Sequence, residues 1–582
     1  MYCRLGNVSG WGNRRFISLY IRKRAELYLI IPSISVKLQA KKSFWKHSIL
    51  DTPLDTISQL FTHAANSYGE SKIYGADETF SYRNLELEAR RIAQGLTQLG
   101  VGPGDRVGFW LPNIKAYIGL LGACGHLGAI AVAMNTRFRK AEIEDVIRRV
   151  EPKVIAFVSN IGSANNIDIM NEVDSKLLSK CSALIQCDGE KVADISHANV
   201  RAYETLRLAE PIKSSLGEPQ SPFCIFNTSG TTSLPKFVLH NQQQVARHSI
   251  EVMELLKMKE TDTMVLQSLP FCGVFGFIFL LSSVSAGAPF VMPPIFEAKS
   301  CAKQLMDFKV THVAGGDDMF FRLLQEGEAL SQTKANPFPA LKYCPYASFN
   351  SALADFPSTA VERGIPLIAP FGMSEVFSFF SLRHADDPLE RKTLGGGFPV
   401  NKEAKVRVRD PETGCLLGHE EEGELEVWSP NIFVGYYGDE ASTKAAFTDD
   451  GFLKTGDLGT TCSDGSFTYL GRMGDVLRLG GFLVNPLEIE TFLCKHNVIN
   501  DAQVVAVPTE KGNKPVAFIL REEGAQLDEN EIIAYCKRGL AGFKVPICVV
   551  EIAKFPTTPS PNGTKIQKST LRKLAIERLE QV

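Results

Sequence analysis

The stretch 106–133, RVGFWLPNIKAYIGLLGACGHLGAIAVA, decides the fold class. Its first six residues read as a buried strand, 117–127 as an apolar helix and 129–133 as a second strand. Strand, helix, strand in that order is the unit of a parallel α/β sheet. Upstream, Leu85, Ala89, Ile92, Ala93, Leu96 and Leu99 recur at a helical period, and Gly100 stands where a C-terminal cap would. Downstream, an amphipathic helix over 141–149 leads into the apolar strand 154–158. After about residue 400 the texture changes: Val406-Arg407-Val408-Arg409 and Glu424-Leu425-Glu426-Val427-Trp428 alternate polar and apolar, as antiparallel strands do. The last hundred residues carry a small mixed α+β pattern, with strands near 503–507 and 516–520. The expected architecture is a large α/β N-terminal part followed by a small α+β C-terminal part.

With 582 residues the chain exceeds one compact core. Hydrophobic residues at 44% and charged residues at 22% exclude a disordered, collagen-like or coiled-coil protein. A net charge of −2 supplies no global pull toward nucleic acid or an anionic membrane. The 13 cysteines include no C-x-x-C pair and are odd in number, which argues against a disulfide framework or zinc ribbon and for a reducing compartment.

Residues 1–50 stand apart, with ten Lys or Arg against one acidic residue, Glu26. Two readings fit: a mitochondrial transit peptide, or an unstructured basic extension on a cytoplasmic protein. The uncharged tract 264–296 is long enough to span a bilayer, but Pro270, Gly273, Gly276, Gly287, Pro289, Pro293 and Pro294 interrupt it. A strand, a buried helix and a second strand are therefore expected there.

The chemistry begins at 226–236, FNTSGTTSLPK, which follows a short apolar strand. Hydroxyl side chains beside glycine expose N–H and O–H donors around a concavity suited to phosphate oxygens, and Lys236 adds a point charge. A polar surface loop has the same composition. The spacing is not that of a Walker-type loop.

The segment TSGTTSLPK (228–236) resembles the phosphate-binding loop of the adenylate-forming superfamily, which contains acyl-CoA synthetases, luciferase-type enzymes and peptide-synthetase adenylation domains. Further matches follow in the family's order, over a span running from about residue 52 to the C-terminus. They are 79–113, APFGMSE (369–375), GELEVWSPNIFVGYY (423–437), FLKTGDLG (452–459), GRMGDVLRLGGFLVNPLEIE (471–490), LAGFKVP (540–546) and NGTKIQKSTLR (562–572).

The resemblance implies a role for each matching residue. Thr228, Ser229, Gly230, Thr231, Thr232 and Lys236 would cradle the phosphates of ATP. Phe371, Gly372 and Ser374 would flank adenine, with Phe371 stacking on it, and Glu375 would ligate Mg²⁺. Asp457 would hold the ribose, and Arg472 the ribose or phosphates. Asn350 lies where the family has a Gly-Gly beside adenine and would offer its amide to the base. Lys565, with Lys568 as a competitor, would be the cation a mobile lid brings to the reacting phosphate. Gly474 would be the hinge, and Gly480, Gly481 and Phe482 would approach coenzyme A. Phe271, Gly273 and Phe275 would belong to the acyl pocket, with Val274, Phe277, Ile278 and Phe279 near its wall.

The implied organisation is an N-terminal extension (1–50), an AMP-binding domain with a distorted β-barrel portion (51–473) and a lid (474–582). The implied reaction joins a carboxylic acid, a medium- or long-chain fatty acid above others, to ATP and then to coenzyme A. An aryl acid, a carrier-protein acceptor, luciferase-type oxidation and a nucleotide-binding pseudoenzyme are the rivals. Four departures bear on them: Ser233 and Phe237 stand where the family has glycine, Gly273 replaces a frequent His, and Gly474 replaces an Asp or Lys. A phenylalanine at 237 would be costly if its φ were positive, and its ring could block the phosphate cavity.

Overall fold

The computed structural model describes the backbone of 18–22, 26–31 and 34–37, and residues 53–580 apart from 190, 229–234, 333–334, 349–352, 354, 474, 476, 480–481, 510–511, 523, 527 and 561–562. Side chains at 478, 482–483 and 558–565 are likewise outside the description. Contacts divide the chain into two compact units, 1–53 and 54–582. In the first, Ser18–Arg22, Glu26–Ile31 and Ile34–Lys37 form an antiparallel meander, so the extension has regular backbone where none was expected.

The second unit is built around an eight-stranded mixed sheet. Its order is Val200–Ala202, Ala183–Gln186, Val154–Phe157, Arg106–Trp110, Ile130–Ala133, Pro222–Thr228, Lys236–Asn241 and Gly435–Tyr436. The first six strands run parallel, as the alternation of strands and helices predicts. The last two are antiparallel, because Pro222–Thr228 and Lys236–Asn241 are joined as a hairpin.

The helix Tyr82–Gln98 packs on the helix Lys115–Leu127, which backs this sheet, and buries Leu85, Ala89, Ile92, Ala93 and Leu96, each no more than 1% exposed. Full burial of each large aliphatic side chain contributes about 1.5–3 kcal/mol. Ser81 caps the helix by accepting from the Asn84 N–H, and Gly100 ends it at φ 84°.

The uncharged tract resolves into Val265–Leu266, the helix Val274–Ala286 and Phe290–Val291, the order expected. The helix is apolar on all sides and buried from Phe275 to Ala286. Ser282, Ser283 and Ser285 donate to carbonyls four residues back, at 2.8–2.9 Å, so their hydroxyls need no water. Among the described residues no helix is long and apolar enough to cross a membrane.

A seven-stranded antiparallel sheet follows, from Pro370–Phe371 through Ser381–Leu382, Gly396–Pro399, Phe467–Arg472, Leu453–Thr461 and Gly423–Trp428 to Lys405–Arg409. No pairing among the described residues closes it into the barrel expected from the resemblance. At the C-terminus the hairpin Leu477–Leu479/Phe482–Val484 precedes a three-stranded sheet (Ile499–Val507, Lys514–Arg521, Cys548–Glu551). Helices Pro486–Leu493, Glu529–Gly539 and Lys568–Glu580 pack with it.

Candidate active site

The loop 226–236 is the tip of the antiparallel hairpin. Thr228 pairs with Lys236, and its hydroxyl donates to the Lys236 carbonyl at 3.3 Å. Ser229, Gly230, Thr231 and Thr232 lie outside the described residues, as does Ser233. The loop's exit is anchored by Arg149, whose guanidinium donates to the Pro235 carbonyl at 2.8 Å.

Strand parity sorts the residues that follow. Alternate residues of a strand point to opposite faces. Phe237 is 1% exposed and packs in the core with Trp110, Val132, Ile147 and Ile225, with the Arg149 guanidinium 4.5 Å from its ring centroid. It has no positive φ. The aromatic ring in place of glycine is thus a core residue on one face of the strand, and it neither strains the backbone nor enters the face that carries Lys236.

The opposite face presents Lys236, Val238 and His240. His240 Nε2 donates to the Ser374 carbonyl at 2.8 Å. Burial pushes the pKa of this imidazole down to about 3, so the ring is neutral, and its buried Nδ1 has no hydrogen-bond partner. Tyr436 crosses from the neighbouring strand. Its hydroxyl donates to Glu375 Oε1 at 2.8 Å, and Lys236 Nζ stands 4.4 Å from its ring centroid.

Glu375 is 7% exposed and sits in the three-residue 3-10 helix Ser374–Val376. The three residues after that turn, Phe377, Ser378 and Phe379, all have left-handed backbone, at φ 56°, 59° and 36°. Such conformations cost free energy in non-glycine residues and persist only where neighbours over-determine them. His248 donates from Nε2 to the Ser378 carbonyl at 3.1 Å, and Phe377 lies edge-on to His240 at 4.8 Å. Gly372 makes the fold-back possible, since a Cβ there would lie 2.7 Å from the Phe379 nitrogen.

Asp457 and Arg472 face each other across adjacent antiparallel strands. Asp457 is 2% exposed, and Arg472 Nε lies 3.1 Å from its Oδ1. That contact is off the hydrogen-bonding direction, which leaves Oδ1 buried without a hydrogen bond. Burial raises the Asp457 pKa to about 7, against the pull of Arg472 and with Glu375 and Glu424 reinforcing the rise. A buried carboxylate oxygen with free acceptor capacity fits a vicinal diol.

Glu375 offers the hard oxygen that Mg²⁺ prefers. Among the described residues no group of three His, Cys, Asp or Glu side chains gathers into a cage. A cation at Glu375 would take its other ligands from phosphates and water, the usual arrangement for Mg²⁺.

Other expected residues fall elsewhere. The Phe371 ring is 5% exposed, edge-on to Phe467 at 5.3 Å and tilted to Tyr469 at 5.7 Å, inside a core cluster. Phe271 packs on Tyr117, Phe277 on Phe226 and Phe377, and Phe275 on Phe379, and together they fill the interior. Gly273 is the residue before the helix. Lys565 lies on the strand Gly563–Ile566, opposite Thr558, with its side chain outside the description. Lys568 is bound to Glu490 and to the Val504 carbonyl. Asn350, Gly474, Gly480 and Gly481 lie outside the described residues, and Phe482 is described only as strand backbone.

Sequence reading assigned nothing to His240 or Tyr436. The period of two from Lys236 points to His240. Tyr436 lies in a quoted motif, yet only the folded sheet brings it to Glu375.

Comparison with known proteins places the chain in a family. The AMP-binding enzyme family matches residues 61–437, and the AMP-binding enzyme C-terminal domain matches 488–561. The mouse (Mus musculus) mitochondrial medium-chain acyl-CoA ligase ACSF2 is 26% identical over 86% of this chain and 83% of its own. The 4-coumarate–CoA ligase-like 6 of Arabidopsis thaliana is 26% identical over 90% of this chain and 91% of its own. ATP-bound MatB from Rhodopseudomonas palustris shares the fold at a TM-score of 0.75, with 24% identity over 89% of this chain and 99% of its own. With the family covering well over half of its length, the chain belongs to the AMP-binding enzymes of the adenylate-forming superfamily, as an AMP-forming acid–thiol ligase that joins a carboxylate to coenzyme A through an acyl-adenylate.

Proposed function

We propose that the acid is a medium- or long-chain fatty acid. The observation that carries this is the absence of any charged side chain from 264 to 296, the tract that holds Phe271, Gly273 and Phe275. A second carboxylate or an amino group on the substrate would find no counter-charge there, and burying it unpaired is costly. The mouse relative, named for medium-chain acids, is consistent with this reading.

In this reading Lys236 and the 228–232 loop hold the triphosphate, Glu375 supplies an oxygen for Mg²⁺, and Asp457 accepts from the ribose hydroxyls. The large domain extends to 473. The lid, 474–582, carries Lys565 to the α-phosphate, where negative charge grows as the carboxylate attacks and pyrophosphate leaves. Turning about Gly474, the lid then brings 480–482 to the site so that the thiol of coenzyme A attacks the acyl carbon and AMP departs.

The test is AMP release with decanoate, palmitate, 4-coumarate, malonate and 2-succinylbenzoate, each with ATP, Mg²⁺ and coenzyme A. The expected order places an aliphatic acid first in kcat/KM. A dicarboxylate or aryl acid leading the panel would overturn the substrate assignment. Silence in ATP–pyrophosphate exchange on every acid of the panel would point to the nucleotide-binding pseudoenzyme.

A further inference from the structure

Tyr436 touches both charged groups that the nucleotide reading needs, and its backbone is pinned from two sides. It pairs with Val238 across the sheet, and its N–H donates to Thr443 Oγ1 at 2.8 Å. The next residue, Tyr437, donates to the Phe237 carbonyl at 2.7 Å. Three residues earlier, the Phe433 N–H donates to the Glu375 carbonyl at 2.8 Å. The segment 433–437 thus bridges the strand bearing Lys236 and the turn bearing Glu375. Tyr436 is 9% exposed, and its hydroxyl donates to the Glu375 carboxylate.

We propose that Tyr436 is a positioning residue: its hydroxyl aims the Glu375 carboxylate and its ring holds the Lys236 ammonium, setting the cation-binding oxygen and the phosphate-binding charge relative to each other before the nucleotide arrives. This rests on the reading in which Glu375 and Lys236 serve ATP. A carboxylate with one oxygen engaged by a buried donor is held in a fixed orientation, with the other oxygen left for a hard cation. Less side-chain freedom is then lost on binding. The cation–π contact with Lys236 is weak enough for a triphosphate to displace.

The experiment is calorimetric binding of ATP to the full chain, once with Mg²⁺ and once with EDTA, alongside a melting curve. In Tyr436→Phe the extra affinity conferred by Mg²⁺ is expected to shrink about tenfold, the worth of one hydrogen bond to a charged group. Metal-free ATP binding should be unchanged and the melting midpoint nearly so. Tyr436→Leu, which also removes the ring, should weaken metal-free ATP binding as well. A Tyr436→Phe chain that keeps the full Mg²⁺ increment overturns the proposal. So does one that fails to fold or loses affinity equally with and without metal, because either makes the phenol a structural prop. These readouts need no turnover, so a wild-type chain inactive on every acid would strike the reaction assignment and leave this one to be decided by calorimetry.

Discussion

Lys568 and Glu490 form an ion pair beneath the C-terminal helix, with the two side chains only 14% and 4% exposed. Glu490 Oε1 also accepts from the Val504 N–H at 2.8 Å, and Lys568 Nζ donates to the Val504 carbonyl at 3.4 Å. Burial raises the Glu490 pKa above the usual carboxylate range, against the opposing pull of Lys568. A lysine committed in this way is held within the C-terminal region, and the proposed function accordingly gives the phosphate-facing role to Lys565. Lys568→Met is expected to lower stability by about 3–5 kcal/mol, since it strands a buried carboxylate. Adenylation per folded molecule should persist. Lys565→Ala should do the reverse, lowering pyrophosphate exchange by about 10² or more with little change in melting. Exchange of those two outcomes would reassign the catalytic lysine.

Nucleotide affinity should depend on pH through Asp457. Its folded pKa, about 7, lies above the unfolded carboxyl value, so the folded state holds this proton more tightly. Ionisation at Asp457 therefore costs folded stability progressively as pH rises from about 4 to about 7. A diol donates to the ionised form, so ATP binding should tighten up to about tenfold between pH 6 and pH 8. Asp457→Asn should flatten that dependence in calorimetric titrations. A profile identical to that of the wild type would remove Asp457 from the ribose site.

Restoring the family's glycine at 237 should harm the protein. The Phe237 ring is enclosed by core residues and stacked under Arg149. Phe237→Gly should cost about 3–5 kcal/mol for the lost packing, plus the added backbone freedom. Urea denaturation measures this, with specific activity corrected for the folded fraction. Undiminished stability together with raised activity would mean that the ring does obstruct the phosphate cavity.

Gly372→Ala should lower kcat for adenylation by about tenfold or more, because small displacements of reacting groups are expensive. A Cβ at 372 would lie 2.7–2.9 Å from the backbone of Ser378 and Phe379, forcing the tract after Glu375 to move. Gly102→Ala is the control, since its Cβ would meet only the Asp105 carboxylate, at 4.0 Å. Equal kinetics for the two variants would show that the 377–379 tract does not hold Glu375 in place.

Local periodicity carried the strands and helices, because each pattern needs only its own residues. The helix Tyr82–Gln98 and the strand Arg106–Trp110 fall within a few residues of their expected limits. Side-chain direction was the harder matter. In the sequence Phe237 reads as an obstruction beside the phosphate loop, because only strand pairing decides which face its ring takes. The aromatic run 271–279 was ambiguous for a different reason, since a pocket wall and a filled interior call for the same composition. The Tyr436–Glu375 contact joins residues 61 apart in sequence. Nothing local marks such a pair, and only sheet pairing creates it.

Three successive left-handed residues beside Glu375 also bear on any attempt to harden this enzyme against heat. Selection for thermal endurance rewards substitutions that relax strained backbone, and of the three only Ser378 can take glycine or asparagine without emptying the core, since the Phe377 and Phe379 rings are fully buried. That same substitution would loosen the shelf on which Glu375 rests. Screens for durable variants should therefore enrich, at Ser378, for chains that survive heating but turn over slowly, which argues for leaving that position out of the mutated library.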